Sequence, residues 1–121
     1  MTSVKQVQIT FDCAEPERVA RFWSEVLGYA LSEDSCADPA GVGPRLYFQR
    51  VPEGKVVKNR VHLDVRVGTG LVGAERLAAL EAECVRLEAL GAVRGQLLVA
   101  DEENESCQVM QDVEGNEFCL D

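Results

Sequence analysis

The stretch ITFDCAEPERVARFWSEVLGY, Ile9 to Tyr29, reads as a strand followed by a helix with its own stop. It opens inside an alternation that begins at Val4. Val7, Ile9 and Phe11 point one way and Gln6, Gln8 and Thr10 the other, which predicts a strand over Val4 to Phe11 with one buried face. Pro16 then opens a helix, at a position where its missing N–H costs nothing. Val19, Phe22, Trp23, Val26 and Leu27 recur at helical spacing and make one apolar stripe. Gly28 stands where such a helix ends, on a left-handed residue.

Outward from this unit the pattern continues. Tyr29 to Ser35 reads as a second strand, and Ala37 to Pro44 as a turn because of Pro39, Gly41, Gly43 and Pro44. RLYFQRV, Arg45 to Val51, has strong β-propensity, and Pro52 to Asn59 is a polar connection. Arg60 to Val67 alternates again, with Val61, Leu63, Val65 and Val67 opposite His62, Asp64 and Arg66. After the glycine-rich Gly68 to Gly73, Ala74 to Leu90 is a helix rich in Ala, Leu, Glu and Arg. Leu77, Leu80, Cys84, Leu87 and Gly91 trace its inner stripe. Ala92 to Val99, Ser106 to Gln111 and Glu117 to Leu120 read as strands, the last two joined by a tight turn at Glu114-Gly115-Asn116.

The order strand, helix, strands therefore occurs twice, and Glu25-Val26-Leu27-Gly28 resembles Glu88-Ala89-Leu90-Gly91. The predicted class is α+β: two tandem βαβββ modules, about residues 1–52 and 60–121, within a single domain over 1–121. A module of that size is marginal alone, because a helix and a sheet face each need a partner surface. The two sheets are expected to form a cup with the helices on the outer face. Strand parity then lines the cup with Gln8 and Thr10, Tyr47 and Gln49, His62 and Asp64, and Glu117 and Cys119.

Composition removes several classes of function. A formal charge of -9 repels phosphate backbones and anionic membrane surfaces, so nucleic acid and membrane are not expected partners. No apolar run approaches the length of a membrane span, and Met1 to Gln6 lacks the pattern of a secretory signal. The five cysteines form no CxxC pair, which excludes a zinc ribbon or a thioredoxin-type centre; reduced thiols in a cytoplasm are expected. No glycine-rich phosphate loop precedes a helix, and no GxSxG elbow is present.

Four strings carry a resemblance over nearly the whole chain: Ile9 to Tyr29, LYFQRVPEGKVVKNRVHLD (Leu46 to Asp64), the helix ending in Leu90-Gly91-Ala92, and DVEGNEFCL (Asp112 to Leu120). By these the chain resembles the vicinal oxygen chelate superfamily of glyoxalase I, bleomycin-resistance proteins and extradiol dioxygenases. The second and fourth strings resemble those of the small single-domain glyoxalase-like proteins of actinobacterial type. The resemblance implies paired βαβββ units with a site on the concave face. In metal-dependent members it implies four ligands from the first and last strands of the two modules. The corresponding positions here are Gln8, Gln49, His62 and Cys119, so that an amide and a thiol replace the two usual carboxylates. Neutral amides are weak ligands for a dication. A divalent metal is therefore disfavoured, with His62, Glu117, Cys119 and Gln8 as the residues that would hold one, and little stoichiometric zinc, nickel or iron is expected in the purified protein. The usual turn proline is replaced by Val113.

His62, the one histidine, is the only side chain whose unperturbed pKa lies near neutrality. His62 and Glu117 are the candidate acid–base pair. Gln8, Tyr47, Gln49, Asp64 and Cys119 are candidate ligand contacts, with Tyr47 offering a ring for stacking. The expected function is binding of a small organic molecule. It takes one of two forms: a lyase or isomerase of the glyoxalase I type, with or without metal, or a drug-sequestering protein without catalysis. A homodimer is expected, since pairing covers exposed strand edges.

Overall fold

The computed structural model describes residues 3–121. The chain divides into two compact units, residues 1–54 and 55–121. Each holds one helix and one four-stranded mixed sheet, the α+β class that the repeated pattern predicts.

In the first unit β1 (Ile9–Cys13), α1 (Pro16–Leu27), β2 (Ala30–Ser32), β3 (Ser35–Ala37) and β4 (Leu46–Arg50) follow in order. The sheet runs β1-β4-β3-β2, with β1 parallel to β4 and the other pairs antiparallel. Gly28 closes α1 at φ 69°, and the Ser24 hydroxyl donates to the Tyr29 carbonyl at 2.6 Å. Val19, Phe22, Trp23 and Val26 are buried, as the stripe requires, and α1 packs on β3 and β4, where Cys36, Leu46 and Phe48 are buried. The Phe11 ring lies 5.2 Å from the rings of both Trp23 and Phe48.

Two strand boundaries differ from expectation. The first strand begins at Ile9, where pairing with Leu46 starts, and Val4 and Val7 upstream are 97% and 71% exposed. Alternation at residues 4–8 thus does not make a strand: among the described residues the ladder with β4 starts only at Ile9, and a strand needs such a partner. The expected strand over Tyr29 to Ser35 is a hairpin of β2 and β3, turned at Glu33 (φ 41°).

In the second unit β5 (Asp64–Val65), α2 (Gly73–Ala89), β6 (Val93–Leu98), β7 (Cys107–Gln111) and β8 (Glu117–Leu120) repeat the plan, in sheet order β5-β8-β7-β6. Again the first strand is parallel to the last. The strand expected over Arg60 to Val67 shrinks to two residues, and Val61 is 82% exposed. Its flanks still follow β8: Cys119 N–H donates to the Leu63 carbonyl, and Val67 and Gly68 N–H donate to the Asp121 carbonyl.

Leu80, Cys84 and Leu87 of α2 are buried, and the helix packs on the sheet that buries Met110, Phe118 and Leu120. The stripe departs from expectation at two positions: Gly91 is exposed beyond the end of the helix, and Leu77 is exposed while Arg76 takes the inner place. Its guanidinium donates to the Ser106 carbonyl from Nε (3.1 Å) and Nη2 (2.8 Å), and to the Gly68 carbonyl from Nη1 (2.9 Å). Polar atoms tolerate burial when bonded in this way. A register break in β6 between Arg94 and Leu97 is spanned by Gln108, whose amide donates to the Gly95 and Gln96 carbonyls. In the last turn the buried Asp112 carboxylate accepts N–H bonds from Glu114 and Asn116, and Gly115 takes φ 85°. Asp112 holds this turn without the proline of the resembling string.

Candidate functional site

Polar side chains of the expected parity occur in both units. In the first, Gln8 immediately precedes β1, and Tyr47 and Gln49 lie on β4. Register pairs Thr10 with Tyr47 and Asp12 with Gln49, so these four share the sheet face opposite the buried one. Arg45 organises the region: Nη1 donates to Gln8 Oε1 at 2.6 Å, and its guanidinium carbon lies 5.5 Å from the centre of the Tyr47 ring. The stacked cation explains the position of Tyr47. Arg45 was not selected from sequence, although odd parity along Arg45, Tyr47 and Gln49 places it there.

In the second unit β5 and β8 bring three candidates together. Asp64 and Cys119 are register partners across the parallel pair. His62 precedes Asp64 by two residues, and its Nε2 lies 3.2 Å from Asp64 Oδ1. One ligand-capable atom from each of His62, Asp64 and Cys119 falls within 4.8 Å of the others. Burial, reinforced by the neighbouring Cys107 and Asp64, pushes the Cys119 thiol up to about 11. Cys107 sits on β7 of the same sheet and is a neighbour that sequence reasoning missed.

Glu117 is two residues from Cys119 on β8, but its carboxylate is engaged elsewhere. Lys55 Nζ lies 3.0 Å from Oε1, and the Asn59 N–H donates to Oε1 at 3.1 Å. The bond from Glu117 N–H to Asn59 Oδ1 (2.8 Å) closes the pairing, while Asn59 Nδ2 donates to the Val61 carbonyl. Burial opposes ionisation of Glu117, yet the Asn59 amide and the Lys55 ammonium outweigh it and hold the carboxyl below its ordinary range. The Lys-x-x-x-Asn spacing that ties the segment to β8 therefore has a structural purpose, one visible only once β8 is placed.

These residues open on a cleft of about 1090 Å³ within residues 58–121. His62, Asp64, Glu117 and Cys119 all line it, and Leu71, Val72, Leu97, Leu98 and Val99 contribute apolar surface. Its charged lining is more acidic than basic: Asp64, Asp101, Glu105, Glu117 and Asp121 against Lys58, Arg66 and Arg76. Arg66 Nε lies 2.7 Å from Asp121 Oδ1. Among the described residues no helix is long and apolar enough to cross a membrane.

A pair of βαβββ units, each with its first strand parallel to its last, defines a glyoxalase-like fold. The family model of the glyoxalase-like domain matches residues 8–120, and the chain belongs to that family, within the vicinal oxygen chelate superfamily. None of the curated proteins matches the chain. Solved structures match its fold at low identity. A mutant of the fosfomycin resistance protein FosX from Listeria monocytogenes, with Mn(II) and 1S,2S-dihydroxypropylphosphonic acid, is 11% identical, with 99% of this chain and 90% of that one covered and a TM-score of 0.72. A glyoxalase/bleomycin resistance/dioxygenase family enzyme from Burkholderia phytofirmans PsJN is 14% identical, with 93% and 94% covered and a TM-score of 0.69. The hypothetical protein SA1046 from S. aureus is 10% identical, with 98% and 97% covered and a TM-score of 0.65.

Neither unit by itself offers donors suited to a hard, oxygen-seeking ion such as Mn(II). In the first, Gln8 and Gln49 are neutral amides and Gln8 already accepts from Arg45; in the second, Cys119 is a thiol and Glu117 is paired with Lys55.

Proposed function

We propose that this protein binds a small amphipathic organic molecule, neutral or cationic, in the cleft of its second unit. The carrying observation is the cleft itself: a volume suited to a small ligand, an apolar wall, and the polar cluster of His62, Asp64 and Cys119. Its surplus of carboxylates disfavours an anion such as the phosphonate held by the FosX neighbour. His62 is the orienting hydrogen-bond group, steadied by Asp64. Glu117 positions the segment around Asn59; a carboxylate held ionised by Lys55 and an amide is a poor proton acceptor. This favours sequestration of the ligand over lyase or isomerase chemistry through a His62–Glu117 pair. Gln8, Tyr47 and Gln49, also read as contact positions, belong to the polar face beside β1 and β4 of the first unit and are not part of this cleft.

Thermal-shift and ligand-observed NMR screening of neutral, cationic and anionic compounds tests this reading. Binders are expected among the first two classes, with affinity lost in His62→Ala while the unliganded melting temperature changes little. A set of binders made up only of anions, or one indifferent to His62→Ala, overturns it.

Two further parts of the reading concern setting and assembly. The buried thiols of Cys36 and Cys84 suit a reducing cytoplasm. A homodimer is supported by β6, which ends its sheet as an edge strand with Val93, Leu97 and Leu98 exposed.

A further inference from the structure

We propose that Cys107 and Cys119 form a redox modification site in the wall of the cleft: a small-molecule disulfide oxidises the pair to an intrachain disulfide, and excess thiol restores it. This goes beyond ligand binding and does not depend on it, since the oxidation is read on the protein alone.

Strand pairing brings the two thiols together. In β7 the half-buried Cys107, Val109 and Gln111 alternate with the buried Gln108 and Met110; in β8 the half-buried Glu117 and Cys119 alternate with the buried Phe118 and Leu120. Both cysteines therefore stand on the sheet face that lines the cleft. Register sets Val109 opposite Cys119, so Cys107 is the diagonal neighbour of Cys119. The two thiols already interact through a side-chain hydrogen bond. The other three cysteines, Cys13, Cys36 and Cys84, are buried, so the adjacent pair is also the accessible one. No CxxC spacing marks it, because the thiols meet across strands.

Diagonal neighbours keep their Cα atoms about 7–8 Å apart, slightly beyond the roughly 4.4–6.8 Å of a relaxed disulfide. Closure asks for a shift of about 1 Å, and Cys107 is the first residue of β7, after the connection of residues 99–106. A bridge held at such a site is readily reduced, which suits a reversible switch and not a permanent staple.

Burial, Cys107 and Asp64 push the Cys119 thiol up to about 11, so the first attack falls to Cys107. Its thiolate attacks one sulfur of the small disulfide R–S–S–R; that S–S bond breaks, and one R–S⁻ leaves and takes up a proton. Cys119 then gives its proton to solvent and attacks the Cys107 sulfur, expelling the second R–S⁻, which is protonated in turn. By this stage Cys107 is no longer a thiol, and its part in raising Cys119 has ended. The protein loses two electrons and two protons, and the small disulfide is reduced to two thiols. Oxidation thereby withdraws Cys119 from its place beside His62 and Asp64.

The test is incubation of the full-length, reduced protein with oxidised glutathione, then denaturation, alkylation and intact-mass and peptide analysis. The expected result is a fall from five alkylated thiols to three, loss of two hydrogen atoms, and a Cys107–Cys119 peptide link that excess reduced glutathione reopens. Cys119→Ser is expected to stop at a mixed disulfide with glutathione on Cys107. Wild-type protein that keeps five free thiols, that stops at the mixed disulfide, or that links any other pair overturns the proposal regardless of how the variant folds. A Cys107–Cys119 bond that resists excess reduced glutathione overturns it too, as does an intrachain disulfide in Cys119→Ser.

Discussion

His62, Glu117 and Arg76 have side chains whose surroundings decide their roles. His62 faces Asp64 and the cleft with 41% of its side chain exposed, so its replacement is expected to act on binding more than on folding. Glu117 is the reverse case, with 13% of its side chain exposed and both oxygens held by Lys55. Glu117→Gln is expected to cost about 1 kcal/mol in urea denaturation, the scale of one charge-assisted hydrogen bond with a partly exposed partner. Equal losses of ligand affinity in Glu117→Gln and His62→Ala would return Glu117 to the binding machinery. Arg76→Met leaves the carbonyls of Ser106 and Gly68 without their donor. A buried acceptor without a partner costs about 1–3 kcal/mol, so a loss of about 2 kcal/mol or more is expected in the same measurement. At this scale the sequence was legible where a side chain's type fixes its chemistry, as for the single histidine. It was not legible where long polar chains reach distant partners: Arg76 occupies a place that helical spacing assigns to Leu77, because three hydrogen bonds make its burial tolerable.

The helices were the most legible elements. Pro16, the stripe from Val19 to Val26, and Gly28 bound α1 by local rules alone, and α2 lies within a residue of its expected limits. Strands depended on partners. Residues 4–8 alternate yet remain outside β1, and Arg60 to Val67 alternates yet gives a two-residue β5. The connection from Asp38 to Pro44 has its own device: the Asp38 carboxylate accepts N–H bonds from Ala40, Val42 and Gly43. The bonds from Gly43 and Ala40 lower its pKa below the ordinary 3.8. Because the folded value is the lower one, this contribution is present above the unfolded pKa and is lost as pH falls through the folded value. The melting-temperature gap between wild type and Asp38→Asn is therefore expected to be full at pH 6 and to close as the solution is acidified below about pH 4. A gap that stays constant down to pH 2.5 would mean that the carboxylate charge does not hold the loop. In β6, the open edge, Val93→Lys is expected to move sedimentation from twice the 13.3 kDa chain mass to the single chain. A wild-type protein that is monomeric across micromolar concentrations would reject the dimer.

At the scale of the molecule, the α+β class, the repeated order of elements and both helices were readable from the chain alone. Those features are written in local patterns: side-chain periods of two and 3.6, a proline at a helix start, a glycine at its end. Which polar residues meet depends on how the strands pair. Parity assigned His62, Asp64, Glu117 and Cys119 to one face but gave no reason to prefer Asp64 over Glu117 as the companion of the histidine and the thiol. The parallel register of β5 on β8 sets Asp64 against Cys119, and the segment from Lys55 to Asn59 draws Glu117 into an ion pair. Register and long-range pairing are settled by hydrogen bonds between strands and by charge across more than fifty residues of chain. No local period encodes either, so the chemistry of the site became readable only after the sheet had formed.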